Sequence, residues 1–209
     1  MIEEKVIGRR SFLKTAGTIG AALAFSPTVN RLSAYEGVLN DRKEARRNGD
    51  SMECRTLGSG NASMKVSAIG FGCMGMNYNR SQSPDRKECI RVIHEAVDCG
   101  VTLFDTAIIY GPLRNELLVG EALAPYRGRV NITTKFGHEV VDGKSTGRQD
   151  SSRDTVRRYC EESLRRLQLE SIPLFYQHRY DRNTPIEYVA ETISELIKEG
   201  KVQRWGLAR

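Results

Sequence analysis

The chain has 209 residues, 39% hydrophobic and 28% charged, a balance that argues against a disordered polypeptide and gives enough apolar mass for one packed domain. Its formal net charge of +6 is spread over segments where Lys and Arg alternate with Asp and Glu, so nucleic-acid binding is not expected and an anionic cofactor fits equally well. Five cysteines without a C-x-x-C pair, and His94, His138 and His178 at irregular spacing, point to neither a disulfide framework nor a metal centre; buried thiols are expected.

At the N-terminus, Arg9-Arg10-Ser11-Phe12-Leu13-Lys14 precedes the small apolar run Thr15 to Phe25, which is too short to span a bilayer. This segment resembles a twin-arginine export signal, with Gly8 where that motif more often has Ser or Thr. Ala22-Leu23-Ala24 or Leu32-Ser33-Ala34 would supply the cleavage site. The alternative is an amphipathic N-terminal helix of a cytoplasmic protein. Residues 1–34 are therefore expected to direct export to the periplasm, residues 35–52 to be a charged linker, and residues 53–209 to fold.

The folded part reads as a short strand Cys54 to Leu57, a Gly58-Ser59-Gly60-Asn61 turn and a longer strand Lys65 to Phe71. Regular alternation follows. Asp85 to Cys99 has a helical face at Ile90, Ile93 and Val97 after a Ser83-Pro84 start, and Val101 to Phe104 is a strand. Asn115 to Leu123 is a helix and Val130 to Thr134 a strand; Arg153 to Leu167 places Val156, Tyr159, Cys160, Ser163, Leu164 and Leu167 on one stripe. Ile172 to Tyr176 is the next strand. Thr184-Pro185-Ile186-Glu187 reads as a capping box opening a helix through Glu199, closed by Gly200, before a last strand Val202 to Leu207. Strands separated by helices of this length imply right-handed crossovers and a parallel sheet.

Gly70-Phe71-Gly72-Cys73-Met74-Gly75 matches G-x-G-x-x-G, and Asp105 ends the next strand, as in a Rossmann dehydrogenase. Met76 to Pro84, however, separate the glycines from any helical pattern, so no helix N-terminus stands beside the loop to hold a phosphate. In a (β/α)8 barrel, by contrast, function sits where strands end, and Asp105, Tyr110, Lys135 and His178 all fall there. Each alone has a bland explanation as a cap, a turn, a solvated cation or a core imidazole; together they do not.

Arg55-Thr56-Leu57-Gly58, Ser67 to Met76, Asp105-Thr106-Ala107 with Tyr110-Gly111, Asn115-Glu116 with Val119-Gly120, and Gln177-His178-Arg179 resemble the aldo-keto reductases. The resemblance implies a TIM-type (β/α)8 barrel of the α/β class with an N-terminal β-hairpin, reducing an aldehyde or ketone with NADP(H), NAD(H) not being excluded, and without a metal. It assigns Tyr110 as proton donor, Lys135 as the cation that favours its phenolate, Asp105 as partner of that cation, and His178 as the group orienting the carbonyl. Gly72, Met74 and Asp105 would contact the cofactor. A small carbonyl compound is the expected partner, with no nucleic acid and no stable membrane span.

Family members usually continue past the fifth strand with a polar residue that binds the nicotinamide carboxamide, whereas Trp205-Gly206-Leu207 is followed by Ala208-Arg209. The expectation is a barrel truncated after about the fifth strand, inactive alone and open to self-association along its sheet edge. Two alternatives remain at this point: a subunit that senses nucleotide without turnover, and a Rossmann dehydrogenase.

Overall fold

A computed structural model describes residues 52–77 and 84–208; the expected export signal, and the expected linker apart from Met52, lie outside the described residues. The chain starts with a hairpin, β1 (Cys54–Leu57) against β2 (Met64–Ser67), antiparallel with Cys54 opposite Ser67. Five parallel strands follow: β3 (Phe71–Gly72), β4 (Leu103–Asp105), β5 (Asn131–Phe136), β8 (Leu174–Gln177) and β9 (Trp205–Leu207). A second hairpin, β6 (His138–Val141) with β7 (Lys144–Gln149), is inserted after β5. Four helices connect the strands: α1 (Arg86–Asp98), α2 (Arg114–Leu123), α3 (Arg153–Leu167) and α4 (Ile186–Lys198).

The five strands lie side by side in chain order, each hydrogen-bonded to the next. A Rossmann sheet needs a reversal of strand order at its ligand crevice, and this sheet has none, so that reading is set aside. The glycine run is no helix start either, because it leads into a single 3-10 turn at Met74–Met76. This is the strand succession of a (β/α)8 barrel, five strands of it, with β3 and β9 at the edges.

The helices pack on the sheet through two apolar clusters. Ile93, Val97, Leu118, Val119 and Leu123 meet Phe104 and Ile132 in one; Val156, Tyr159, Leu164, Val189, Ile193 and Leu196 meet Phe136 and Phe175 in the other. Met64 and Val66 of β2 pack against Leu103 and Leu174, the first residues of β4 and β8, so the first hairpin covers the end where strands begin. Reciprocal bonds fasten it: the Ser67 amide donates to the Thr102 hydroxyl at 2.8 Å, and the Thr102 amide to the Ser67 hydroxyl at 2.9 Å. The opposite end, where strands finish, carries Asp105, Lys135 and His178.

Three local expectations need correction. The strand read over Lys65 to Phe71 is two: Met64–Ser67 belongs to the hairpin and Phe71–Gly72 to the barrel, with a bend between in which the Ser67 hydroxyl donates to the Ile69 carbonyl at 2.7 Å. The Thr184 capping box does not form, because the Thr184 hydroxyl donates to Asp181 at 3.0 Å and Pro185 occupies the cap position. The thiols are not uniformly buried, since Cys54 is exposed while Cys73, Cys89 and Cys160 are buried. Burial pushes the Cys160 thiol up to about 12 and the Cys73 thiol higher still, so neither carries a thiolate near neutral pH.

The second hairpin escaped the sequence reading. Its turn residues Asp142 and Gly143 take φ +50° and +69°, the left-handed pair that a two-residue hairpin demands, and Asp-Gly was the available signal. Strand β7, Lys-Ser-Thr-Gly-Arg-Gln, is exposed almost throughout and has no apolar alternation to betray it.

Helices α2 and α3 touch at Gly120. A Cβ there would stand 2.4 Å from the Arg166 carbonyl oxygen and 2.8 Å from the Leu167 Cα. Helix propensity alone would make Gly120→Ala stabilising by about 1 kcal/mol. The contact reverses the sign: urea unfolding should show a loss of about 2 kcal/mol, and a gain would contradict this packing.

Candidate active site

Strand register brings the four sequence-selected side chains to one rim. Gly72 pairs with Asp105, Asp105 with Thr133, and Lys135 with Tyr176, while His178 immediately follows β8. The amide of His178 donates to the Phe136 carbonyl at 2.8 Å, prolonging the β5 to β8 ladder by one bond and fixing where the imidazole starts.

Lys135 is the centre of the cluster. Its side chain is 8% exposed and its three N–H bonds have three acceptors: the Asp105 carboxylate, the Thr106 carbonyl at 2.7 Å and the Tyr110 hydroxyl oxygen at 3.5 Å. The last is a long contact, at the outer limit for a hydrogen bond. The ammonium also stands 5.1 Å from the centroid of the Tyr110 ring. Burial lowers the Lys135 pKa and Asp105 opposes that shift, so the carboxylate is what keeps the buried charge. Asp105 is itself anchored by the Thr133 hydroxyl, which donates at 2.7 Å.

Tyr110 sits in a wound turn between β4 and α2, its amide donating to Ala107 and its carbonyl accepting from Asn115. Gly111 after it has φ +61°, and a Cβ there would lie 2.7 Å from the Cβ of Asn77, so no side chain fits. Asn115 ties the turn down. It accepts from the Thr106 hydroxyl at 2.5 Å and donates to the Cys73 carbonyl at 2.9 Å and to Asn77 at 3.0 Å. Asn115 thereby links the loop after β3 to the residue whose carbonyl holds the ammonium. Glu116, fully buried, accepts from Thr134 at 2.6 Å and from Arg166 at 2.7 Å, fastening β5 to α2 and α3 next to Lys135.

His178 packs edge-on against Tyr110, ring centroids 5.8 Å apart, and against His138 at 4.8 Å. Burial, followed by the nearby Lys135 charge, pushes its pKa down to about 3, so the ring is neutral at physiological pH. Its Nδ1 is buried without a hydrogen-bond partner. A buried N–H without an acceptor is costly, so the proton belongs on Nε2, which makes that nitrogen a donor.

Of the residues expected to meet a cofactor, Gly72 has open space within 4 Å of where a Cβ would stand, and Met74 is 42% exposed. Met74, Tyr110, Lys135, His138 and His178 share one cleft of about 610 Å³. The sequence reading assigned no role to Thr106, Thr133, Asn115 or His138. Asn115 had a signal in its place within the Asn-Glu pair, but Thr106 and Thr133 act through short hydroxyl bonds that no spacing announces, and His138 lies on the unforeseen hairpin. Among the described residues no group of three His, Cys, Asp or Glu side chains is placed to hold a metal ion.

The imidazole also affects stability. His178 titrates near 6.5 when unfolded and near 3 when folded, so between those values the unfolded chain takes up a proton that the folded chain excludes. Stability should therefore fall as pH drops from 6.5 towards 3, and above 6.5 this group contributes no slope. His178→Gln should flatten the pH dependence of urea unfolding within that window; an unchanged slope would contradict the buried neutral ring.

The sequence profile of the aldo/keto reductase family matches residues 68–209. An aldo-keto reductase from Bacillus halodurans, solved in its holo form, is similar with a TM-score of 0.67 and 32% identity, over 75% of this chain and 50% of that one. A glycerol dehydrogenase from Gluconobacter oxydans gives a TM-score of 0.63 and 31% identity, over 76% and 48% of the two chains. The chain thus spans about half the length of these two proteins.

Proposed function

The chain belongs to the aldo/keto reductase family, and we propose that it carries the proton-transfer half of an NADPH-dependent reductase acting on an aldehyde or ketone. The observation that carries this reading is the triple engagement of the Lys135 ammonium with Asp105, Thr106 and the Tyr110 oxygen.

A nicotinamide, when bound, supplies hydride to the carbonyl carbon. Gly72, Met74 and Asp105 are the residues that would hold it, and the open approach over Gly72 and the exposed Met74 side chain fit that use. Negative charge then develops on the carbonyl oxygen, which needs donors already in place. Tyr110 accepts from the ammonium, and a hydroxyl that accepts can also donate, so the carbonyl oxygen is the acceptor that its O–H would serve. As that proton leaves, the phenolate forms beside Lys135, whose charge stabilises it. Asp105 holds the ammonium throughout, and Thr133 holds Asp105. His178 presents Nε2–H to the same oxygen and, being neutral, orients it without competing as an acid.

Export through a twin-arginine route, to the periplasm, is part of the same proposal and rests on Arg9-Arg10 with the apolar run after them. Replacing both arginines by lysine should retain the protein in the cytoplasm; an unaltered distribution removes the export assignment.

Tyr110→Phe in the native protein should lower kcat for carbonyl reduction at least about 10²-fold and leave NADPH binding within about twofold. Turnover equal to that of the parent protein would reject the acid assignment.

A further inference from the structure

The cleft beside Tyr110 holds positive charge that proton transfer does not use. Arg179 lines it, and a neighbouring cleft of about 700 Å³ shares Arg179, His138 and Ala208 while adding Arg182 and Gln149. Among the described residues, neither cleft is lined by Asp or Glu. The carboxylates closest along the chain and on the rim are committed elsewhere. Asp105 holds Lys135 and accepts from Thr133. Asp181, 2% exposed, accepts from the Ser151 amide at 2.8 Å, the Asn183 amide at 2.9 Å and the Thr184 hydroxyl at 3.0 Å. Glu139 on the hairpin takes Thr146 and Arg148.

Arg179 uses one guanidinium nitrogen to donate to the His178 carbonyl at 3.0 Å and makes no ion pair among the described residues. Its charge nonetheless reaches the site, since it is among the causes that hold both His138 and His178 below the usual imidazole range. An uncompensated guanidinium in a concave site raises the local concentration of anions, and its remaining N–H groups form a fork that matches a carboxylate or phosphate. Tyr110, His178 and His138 form an edge-to-face row, and Arg179 lines the same cleft as all three. A ligand filling the cleft would meet Tyr110 and His178 through its carbonyl and Arg179 through a charged group.

We propose that Arg179, flanked by His138, is a subsite for a carboxylate or phosphate carried by the carbonyl substrate. The subsite selects anionic aldehydes or ketones over neutral ones of the same shape, and it rests on the reductase reading of Tyr110 and His178.

The test compares 4-carboxybenzaldehyde with its neutral isostere 4-formylbenzamide as substrates of the native protein. The parent should favour the anion about tenfold in kcat/KM, Arg179→Gln should bring the ratio to about one, and Arg179→Lys should lie between. Calorimetric titration of benzoate and benzamide supplies an arm that needs no turnover: Arg179→Gln should weaken benzoate about tenfold relative to benzamide. If neither aldehyde is reduced while benzoate still depends on Arg179, the reductase reading fails and the anion subsite stands. If benzoate and benzamide bind the parent equally, the subsite is overturned. An Arg179→Gln effect confined to the KM for NADPH, with the aldehyde ratio unaltered, would overturn it too and assign the guanidinium to a cofactor phosphate.

Discussion

A buried ammonium fixes what the rest of the site can be. Lys135 is held between two adjacent strand ends, and a cation removed from water survives there only if every N–H finds an acceptor and a negative charge stands close. Asp105 supplies the charge, the Thr106 carbonyl a second acceptor and the Tyr110 oxygen the third. The phenol is therefore drawn into the arrangement by the needs of the lysine as much as by any substrate. Thr133, Asn115 and Glu116 form a further layer that holds the carboxylate, the Thr106 segment and strand β5 in register. Support of this kind is what keeps a reacting constellation from loosening.

The fold makes that concentration of charge affordable by placing it at one end only. The β1–β2 hairpin packs over the end where strands begin, with Met64 and Val66 on Leu103 and Leu174. Helices α1 to α4 cover the outer face through two apolar clusters. The β6–β7 hairpin then adds His138, Ser145 and Gly147 to the cleft wall, making it a loop that contributes to the site as well as a connection.

Much of this was readable from residues. The stripe of Val156, Tyr159, Cys160, Ser163, Leu164 and Leu167 is buried as periodicity requires, because a helix facing a sheet must bury one side. Asp105, Tyr110, Lys135 and His178 stand out in sequence because each is polar at the end of an apolar run, and parallel pairing turns four separate ends into one rim. What stayed hidden depends on contacts between distant segments. Thr184 looked like a helix cap because three-residue spacing to Glu187 is a local signal, yet Asp181 is a better partner for its hydroxyl. Phe71–Gly72 looked continuous with Met64–Ser67 because the bend between them rests on Ser67 and Thr102, whose pairing spans 35 positions. Arg179 stood in the sequence as the last residue of the Gln177-His178-Arg179 motif with no role of its own; the cleft around it gives it one.

The dependence of the Lys135 charge on Asp105 is open to direct observation by nitrogen-15 NMR of the lysine side chain over a pH titration. The ammonium should deprotonate at a lower pH in Asp105→Asn than in the parent, because burial then acts unopposed by the carboxylate. An unchanged titration midpoint would show that Asp105 does not hold the charge, and the arrangement built on it here would fall.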